Sequence, residues 1–411
     1  MTAITIPTDL ITPLGAYVRL RGSEPSFLLE SVDQGRLGRY SLLGHGSRVV
    51  SLAEAETATN AGHPVVGYMG YDVAAELEPT VALPGPGPTF AESAFIIAET
   101  LVRFDHLLGV AEVLSGDRDA LAHRLATPVA DPPSQGDSPG GKTERFPLQA
   151  GYEDGVRRAK DYIREGDVFQ VVLSQRAVRR TAATPVGVYR ALRRVNPSPY
   201  LFLIEFDELA LVGSSPETLV KLDGTRASVN PIAGTARPDD GDAERLLASE
   251  KDRAEHVMLV DLGRNDLSRV CRAGTVSVDR FLEVERYSHV IHLVSEVTGD
   301  LREGLNGFDL LRASFPAGTV SGAPKVRAMQ IISELERYRR GPYAGAVGYA
   351  LPSGDLDTCI GIRTVQLAGG VAYLQAGAGI VADSDPELEH EECLNKLAAL
   401  EHAIEVAETQ P

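Results

Sequence analysis

Residues 343–397 read "YAGAVGYALPSGDLDTCIGIRTVQLAGGVAYLQAGAGIVADSDPELEHEECLNKL". Three apolar runs, YAGAVGYAL, DTCIGIRTVQLA and VAYLQAGAGIVA, follow one another with no helical pattern between them, and a helix opens only after Pro386. Runs of strands broken by single long helices favour an α+β layout with antiparallel sheets over a doubly wound one. The same pattern recurs upstream. YEDGVRRAKDYIREGD reads as an amphipathic helix, VFQVVLSQRAVR as a strand, and YLFLIEF, ELALVGSS and TLVKLDG as further strands. One long helix is expected over GDAERLLASEKDRAEHVMLVDLGRND and another over PKVRAMQIISELERYRR.

The stretch Thr127–Glu144 is rich in Pro, Gly, Ser and Asp, breaks the periodic patterns around it and reads as a linker. It divides the chain into residues 1–126, a linker at 127–145, and residues 146–411. The first part alternates short apolar runs (SFLLESV, RYSLLG, SRVVSLA, ESAFIIAETLVRFDHLLGVAEVL) with turns and is expected to be mostly strands.

A length of 411 residues with 43% hydrophobic and 24% charged content supports a large core in two lobes or one intertwined domain. A formal charge of −17 argues against a nucleic-acid face or an anionic membrane, because phosphate demands a basic stripe. Apolar runs fall short of the roughly 20 residues needed to span a bilayer, and the N-terminus lacks signal-peptide character, so the cytoplasm is the expected location. Cys271, Cys359 and Cys393 have neither disulfide-framework nor zinc-type spacing.

Six acidic residues crowd between Asp383 and Glu392. On a helix after Pro386, Glu389 and Glu392 share one face, either as a solvated surface or as part of a site for a hard cation such as magnesium. Asp252 and Glu255 form a second pair with the same spacing, and two such helices resemble a divalent-cation site. Four facing carboxylates make sense only around a positive charge. Gly377 and Gly379 in AGAGI either allow close packing or let amides converge on a carboxylate. Arg363, expected on a strand, is a surface snorkeller or an inward carboxylate clamp. His292 is a satisfied strand residue or a catalyst. The segment 315–330, FPAGTVSGAPKVRAMQ, fails as a phosphate loop because its lysine does not follow the second glycine.

The ordered set FLLES, GRYSLLG, GDVFQVVLSQR, NPSPYLF, GSSPETLV, PIAGT, EKDRAEHVMLVDLGRND, YSHVIHLVSEV, FPAGTVSGAPKVRAM, GAVGY, DTCIGIRT and QAGAGIVADSDPELEHEECLNK resembles the chorismate-utilising enzymes. Among their branches it is similar to the large subunits of anthranilate synthase. The resemblance implies two lobes with largely antiparallel sheets packed as a sandwich and helices outside. It implies magnesium held by Asp252, Glu255, Glu389 and Glu392, and a substrate pocket with Gly234, Thr319, Tyr343, Arg363, Gly377, Ala378 and Gly379. Asp252 is shorter than the glutamate common in relatives, which implies contact with the metal through water. Catalytic roles fall on Glu217 as general acid, His292 in pyruvate elimination, and Thr235 and Lys396 lining the pocket.

The same resemblance implies a tryptophan feedback site made by Glu30, Ser31, Tyr40 and the segment Asn196, Pro197, Ser198, Pro199, Tyr200, Leu201 and Phe202. Sister enzymes use a base lysine where this chain has Gln170, or a nucleophilic lysine where it has Ala233; neither residue here can play that part. The expected reaction therefore joins ammonia to chorismate and releases anthranilate and pyruvate, with ammonia from a separate glutamine amidotransferase subunit. The alternatives are aminodeoxychorismate synthase and a non-catalytic amino-acid-sensing relative.

Overall fold

A computed structural model of the chain describes residues 5–33, 36–85, 87, 90–127, 140–236, 242–286 and 291–409. Its strands build two sheets, of twelve and ten strands, in which neighbours pair antiparallel. The expected α+β class holds. The first sheet runs from its edge through Arg36–His45, Ser26–Asp33, Tyr200–Glu205, Ala210–Ser215, Thr364–Ala368 and Val371–Ile380 to Gln170–Arg180. The second has Ile291–Asp300, Thr218–Asp223, Leu356–Ile360, Ala346–Ala350 and Val65–Met69 along its length.

Side-chain alternation explains how the sheets stack. In Tyr200–Glu205, Leu201 and Leu203 join a core with Leu28, Tyr189 and Leu400, beneath the helices. Phe202 and Ile204 point the other way, into a core shared with Tyr68, Ile96 and Val347 of the second sheet. Central strands therefore bury both faces and read as continuous apolar runs. The helix Pro185–Val195 closes one side of this layer. Its start is set by Thr184, whose hydroxyl accepts the Gly187 N–H, and by Pro185 in the first turn.

Both sheets take strands from each side of residues 127–145. Ser26–Asp33 pairs with Tyr200–Glu205, and Val65–Met69 pairs with Ala346–Ala350. The linker separates stretches of sequence but not the sheets, because strands that are apolar on both faces need partners on both edges. Residues 128–139 of that stretch lie outside the described residues.

Three other expectations change. The long helix over 241–266 is two, Asp242–Ala248 and Glu250–Ser268, broken at Ser249. DTCIGIRTVQLA is two strands in different sheets, Leu356–Ile360 and Thr364–Ala368. The first part also carries helices at Pro13–Leu20, Leu52–Asn60 and Arg118–Ala126. The second of these starts on a reciprocal Ser51–Glu54 cap, an S-x-x-E signal present in the sequence. Among the described residues no helix is long and apolar enough to cross a membrane.

Candidate active site

Of the chain's crossings between the sheets, two lie at neighbouring places. The chain leaves the first sheet after Ala210–Ser215 and enters the second at Thr218–Asp223; it returns between Leu356–Ile360 and Thr364–Ala368. Glu217 sits on the outward crossing and Arg363 on the return. The crossings are bonded to each other: Ile360 N–H donates to the Glu217 carbonyl at 3.0 Å, and Ser214 N–H to the Arg363 carbonyl at 3.1 Å. Arg363 has φ of +49°, a left-handed conformation that costs a non-glycine residue roughly 1–2 kcal/mol. Its strand placement is thus corrected. The inward-clamp alternative fits its position, since it lines the cavity together with Glu217.

That cavity measures about 610 Å³. It gathers Glu217, His292, Thr319, Tyr343, Arg363 and Lys396 on its walls, and Gly377 and Gly379 with them. Burial raises the Glu217 carboxyl to about 7, against the opposing influences of the Thr319 hydroxyl, Arg363 and Lys396. The Thr319 hydroxyl biases Glu217 yet makes no regular hydrogen bond among the described residues. Burial lowers the Arg363 guanidinium, with Glu217 pulling it back up. Gln170, the position that separates the sister chemistries, lines the same space, and its side-chain oxygen is buried without a partner.

Three acidic residues of the expected cation site, Glu255, Glu389 and Glu392, face this cavity from the helices Glu250–Ser268 and Pro386–Thr409. Among the described residues, no three His, Cys, Asp or Glu side chains stand close enough to hold a metal. Glu392 is paired instead with Lys396, Oε1 to Nζ at 2.7 Å, and that Nζ also donates to the Gly377 carbonyl at 2.8 Å. An all-oxygen donor set of this kind suits magnesium. The side chains of Asp252 and Thr235 lie outside the described residues; the backbone of Thr235 pairs with His292.

The amide nest is not formed. Residues 371–380 are an extended strand paired along its length with Gln170–Arg180, and neither Gly377 nor Gly379 has positive φ. The glycines serve space instead: a Cβ on Gly377 would meet the Tyr343 hydroxyl at 2.9 Å, and one on Gly379 the Gln170 amide nitrogen at 2.5 Å. The side chain of Ala378, the intervening residue, points away, buried in the core with Leu173 and Cys393. The lysine of the rejected phosphate loop, Lys325, is held by Asp266 at 2.7 Å.

A second cavity, of about 210 Å³, lies between the sheets and is lined by Glu30, Ser31, Tyr40, Tyr200, Leu201 and Phe202. Asn196, Pro197, Ser198 and Pro199 are not on its wall; Asn196 instead accepts a bond from Arg363 Nη1 at 3.4 Å. Glu30 borders the space, but its carboxylate is bonded by the Tyr189 hydroxyl and lies 3.5 Å from Arg193, on the helix side. The acid that faces the cavity is Asp357, which the sequence reading missed. Burial raises its carboxyl, and it accepts from the Tyr200 hydroxyl at 3.0 Å. A lone aspartate inside the apolar run DTCIG was the available signal.

The model of the family described as chorismate binding enzyme matches residues 18–402. The chain is 46% identical to anthranilate synthase component 1 of Aquifex aeolicus (strain VF5), covering 97% of this chain and 93% of that one. It is 43% identical to the Thermus thermophilus component 1, over 98% and 97% of the two chains. The crystal structure of anthranilate synthase component I from Streptococcus pneumoniae TIGR4 superposes with a TM-score of 0.80 at 34% identity, over 97% of this chain and all of that one. The menaquinone-specific isochorismate synthase from Escherichia coli superposes at 0.79 with 25% identity, over 98% and 94%. With the family model spanning most of its length and those relatives matching it end to end, this chain belongs to the chorismate binding enzymes.

Proposed function

We propose that this chain is the large subunit of an anthranilate synthase, joining ammonia to chorismate and releasing anthranilate, pyruvate and water. Within the family, the observation that carries the choice is Gln170. It is a neutral amide, buried in the cavity with no partner for its oxygen among the described residues, and cannot deprotonate water. Ala233 offers no nucleophile either. Ammonia is then the group that attacks C2, as the names of the relatives suggest.

Arg363 holds a substrate carboxylate on the return crossing. Glu217, kept protonated near neutrality by burial, donates its proton to the C4 hydroxyl as that group leaves as water. His292 takes part in the later proton transfer that releases pyruvate and restores aromaticity. Glu255, Glu389 and Glu392, with Asp252, would hold magnesium, for which Glu392 must exchange its bond to Lys396. When bound, the ion supplies positive charge for the ring carboxylate.

Ammonia comes from a separate glutamine amidotransferase subunit, in keeping with the "component 1" names of the relatives. All three cysteines here are buried, and burial pushes the Cys393 thiol up to about 12, which suits inert thiols rather than glutamine-hydrolysing ones. Tryptophan is the proposed ligand of the second cavity, with Asp357 facing its ammonium, and the cytoplasm the proposed compartment. Incubation with chorismate, magnesium and ammonium tests the reading. Anthranilate and pyruvate in equal amounts are expected. Accumulation of an aminated product that still carries its pyruvyl group would favour aminodeoxychorismate synthase, and absence of any turnover the non-catalytic alternative.

A further inference from the structure

Arg340 is the largest side chain buried almost completely in the protein, at 1% exposure, and the proposed chemistry gives it no part. Its guanidinium bonds the backbone of two segments that line the active cavity. Nη1 donates to the Val320 carbonyl at 2.7 Å and Nη2 to the Val172 carbonyl at 2.8 Å. Val320 follows Thr319, whose hydroxyl bears on Glu217; Val172 lies two residues from Gln170 on the same strand. The charge is balanced by Glu336, bonded at 2.8 Å through Nε and 2.6 Å through Nη2. Glu336 Oε1 in turn accepts from the N–H and the hydroxyl of Ser174, both at 2.8 Å.

The guanidinium also sits 5.6 Å from the ring centroid of Tyr343, a third cavity residue, and 4.5 Å from that of Tyr71. The Arg340 and Gly341 N–H groups are bonded by Asp72 at 3.3 and 2.8 Å, so the hub is itself fixed by the N-terminal part of the chain. A planar group with several donors is suited to hold two carbonyls and a carboxylate at once; a lysine ammonium is a point charge that is not.

We infer that Arg340 is a positioning residue for this reaction: it fixes the strand bearing Gln170, the turn bearing Thr319 and the ring of Tyr343 relative to one another around the substrate. The inference rests on the chorismate chemistry proposed above only for its readout, since the bonds themselves belong to the fold. A buried cation kept for stability alone is replaceable: exchanging a buried ion pair for apolar residues of similar size is often neutral. The role inferred for Arg340 is geometric, and displacements of about 1 Å can cost roughly a hundredfold in rate.

The test uses the full chain with chorismate, magnesium and ammonium. Arg340→Lys keeps the charge but cannot bond both carbonyls. The paired change Arg340→Met with Glu336→Met removes both charges of the buried pair together and guards against misfolding of the single variant. Both are expected to melt cooperatively, to lose kcat roughly ten- to hundredfold, and to change the chorismate KM by less than about threefold. The pH at which kcat/KM declines should also move, because Thr319 no longer meets Glu217 as before. Methylguanidine should restore part of the rate in Arg340→Ala. Folded variants with unchanged kcat and an unmoved pH profile would overturn the inference and return Arg340 to a purely structural role. A wild-type chain that makes no anthranilate would instead overturn the functional reading, while leaving the methylguanidine effect on thermal stability to report on the hub.

Discussion

The cavity at the crossings and the cavity between the sheets draw on different strands of the same two sheets and treat polar groups differently. In the first, Gln170 Oε1 and Thr319 Oγ1 are buried with no regular hydrogen bond among the described residues, and Glu217 is raised to about 7. In the second, the Tyr200 hydroxyl lies 2.8 Å from Thr218 Oγ1 and 3.0 Å from Asp357, and the Glu30 carboxylate is turned to the helix side, its Oε1 likewise without a regular hydrogen bond among the described residues. Buried polar atoms left unpaired are costly, and native proteins keep them where a ligand completes the set. The contrast lies in the acid that faces each space: Glu217, raised to about 7 with Arg363 and Lys396 near it, and Asp357, which accepts from the Tyr200 hydroxyl. Tyr200 touches both worlds, lining the second cavity while bonding the residue after Glu217.

The largest expected effect tests the first cavity. Glu217→Gln should reduce turnover by roughly 10²–10⁴-fold, the range for loss of a general acid. At fixed free ammonia, kcat/KM of the wild type should fall as pH rises through about 7. Stability changes with pH in the same direction. A carboxyl raised in the folded state binds its proton more tightly there, so stability declines as pH rises from the unfolded value to about 7. Glu217→Gln should therefore melt higher than wild type at pH 8 and not at pH 4. A variant that is both active and unshifted would erase the difference between the cavities.

Next in size is the cation face. Chelation, or Glu392→Ala at low magnesium, should cost on the order of a hundredfold, by analogy with the loss of groups that support a bound metal. Raising magnesium should recover part of the loss in the variant. Insensitivity of the wild type to chelator would leave the acidic faces as solvated surface.

The second cavity should respond more gently. Ser31→Leu is expected to raise the tryptophan concentration needed for half-inhibition about tenfold, equivalent to about 1.4 kcal/mol, with little change in uninhibited turnover. A flat inhibition curve in the wild type would remove tryptophan from the second cavity and leave the first untouched.

Smallest is the backbone of the return crossing. Arg363→Gly removes a left-handed non-glycine residue and a buried charge, and should raise stability by roughly 1 kcal/mol. A lower melting temperature would mean that the contacts of Arg363 outweigh its strain.

The α+β class was legible in residues 343–380, because three consecutive apolar runs without an intervening helical period admit antiparallel pairing and little else. Glu389 and Glu392 on one helical face followed from a spacing of three. Local periodicity is a property of neighbouring residues, so sequence carries it. What only the tertiary structure decided is where the chain changes sheets. DTCIGIRTVQLA looks like one strand because both halves are apolar, yet Arg363 stands at a break whose partner, Glu217, is 146 positions earlier in the chain. The same holds for Glu30, whose direction depends on Tyr189 across the sheet, and for Arg340, whose value lies in carbonyls of residues 172 and 320. Bonds between residues far apart in sequence leave no periodic trace. They arise when two sheets stack, and here that stacking makes the site.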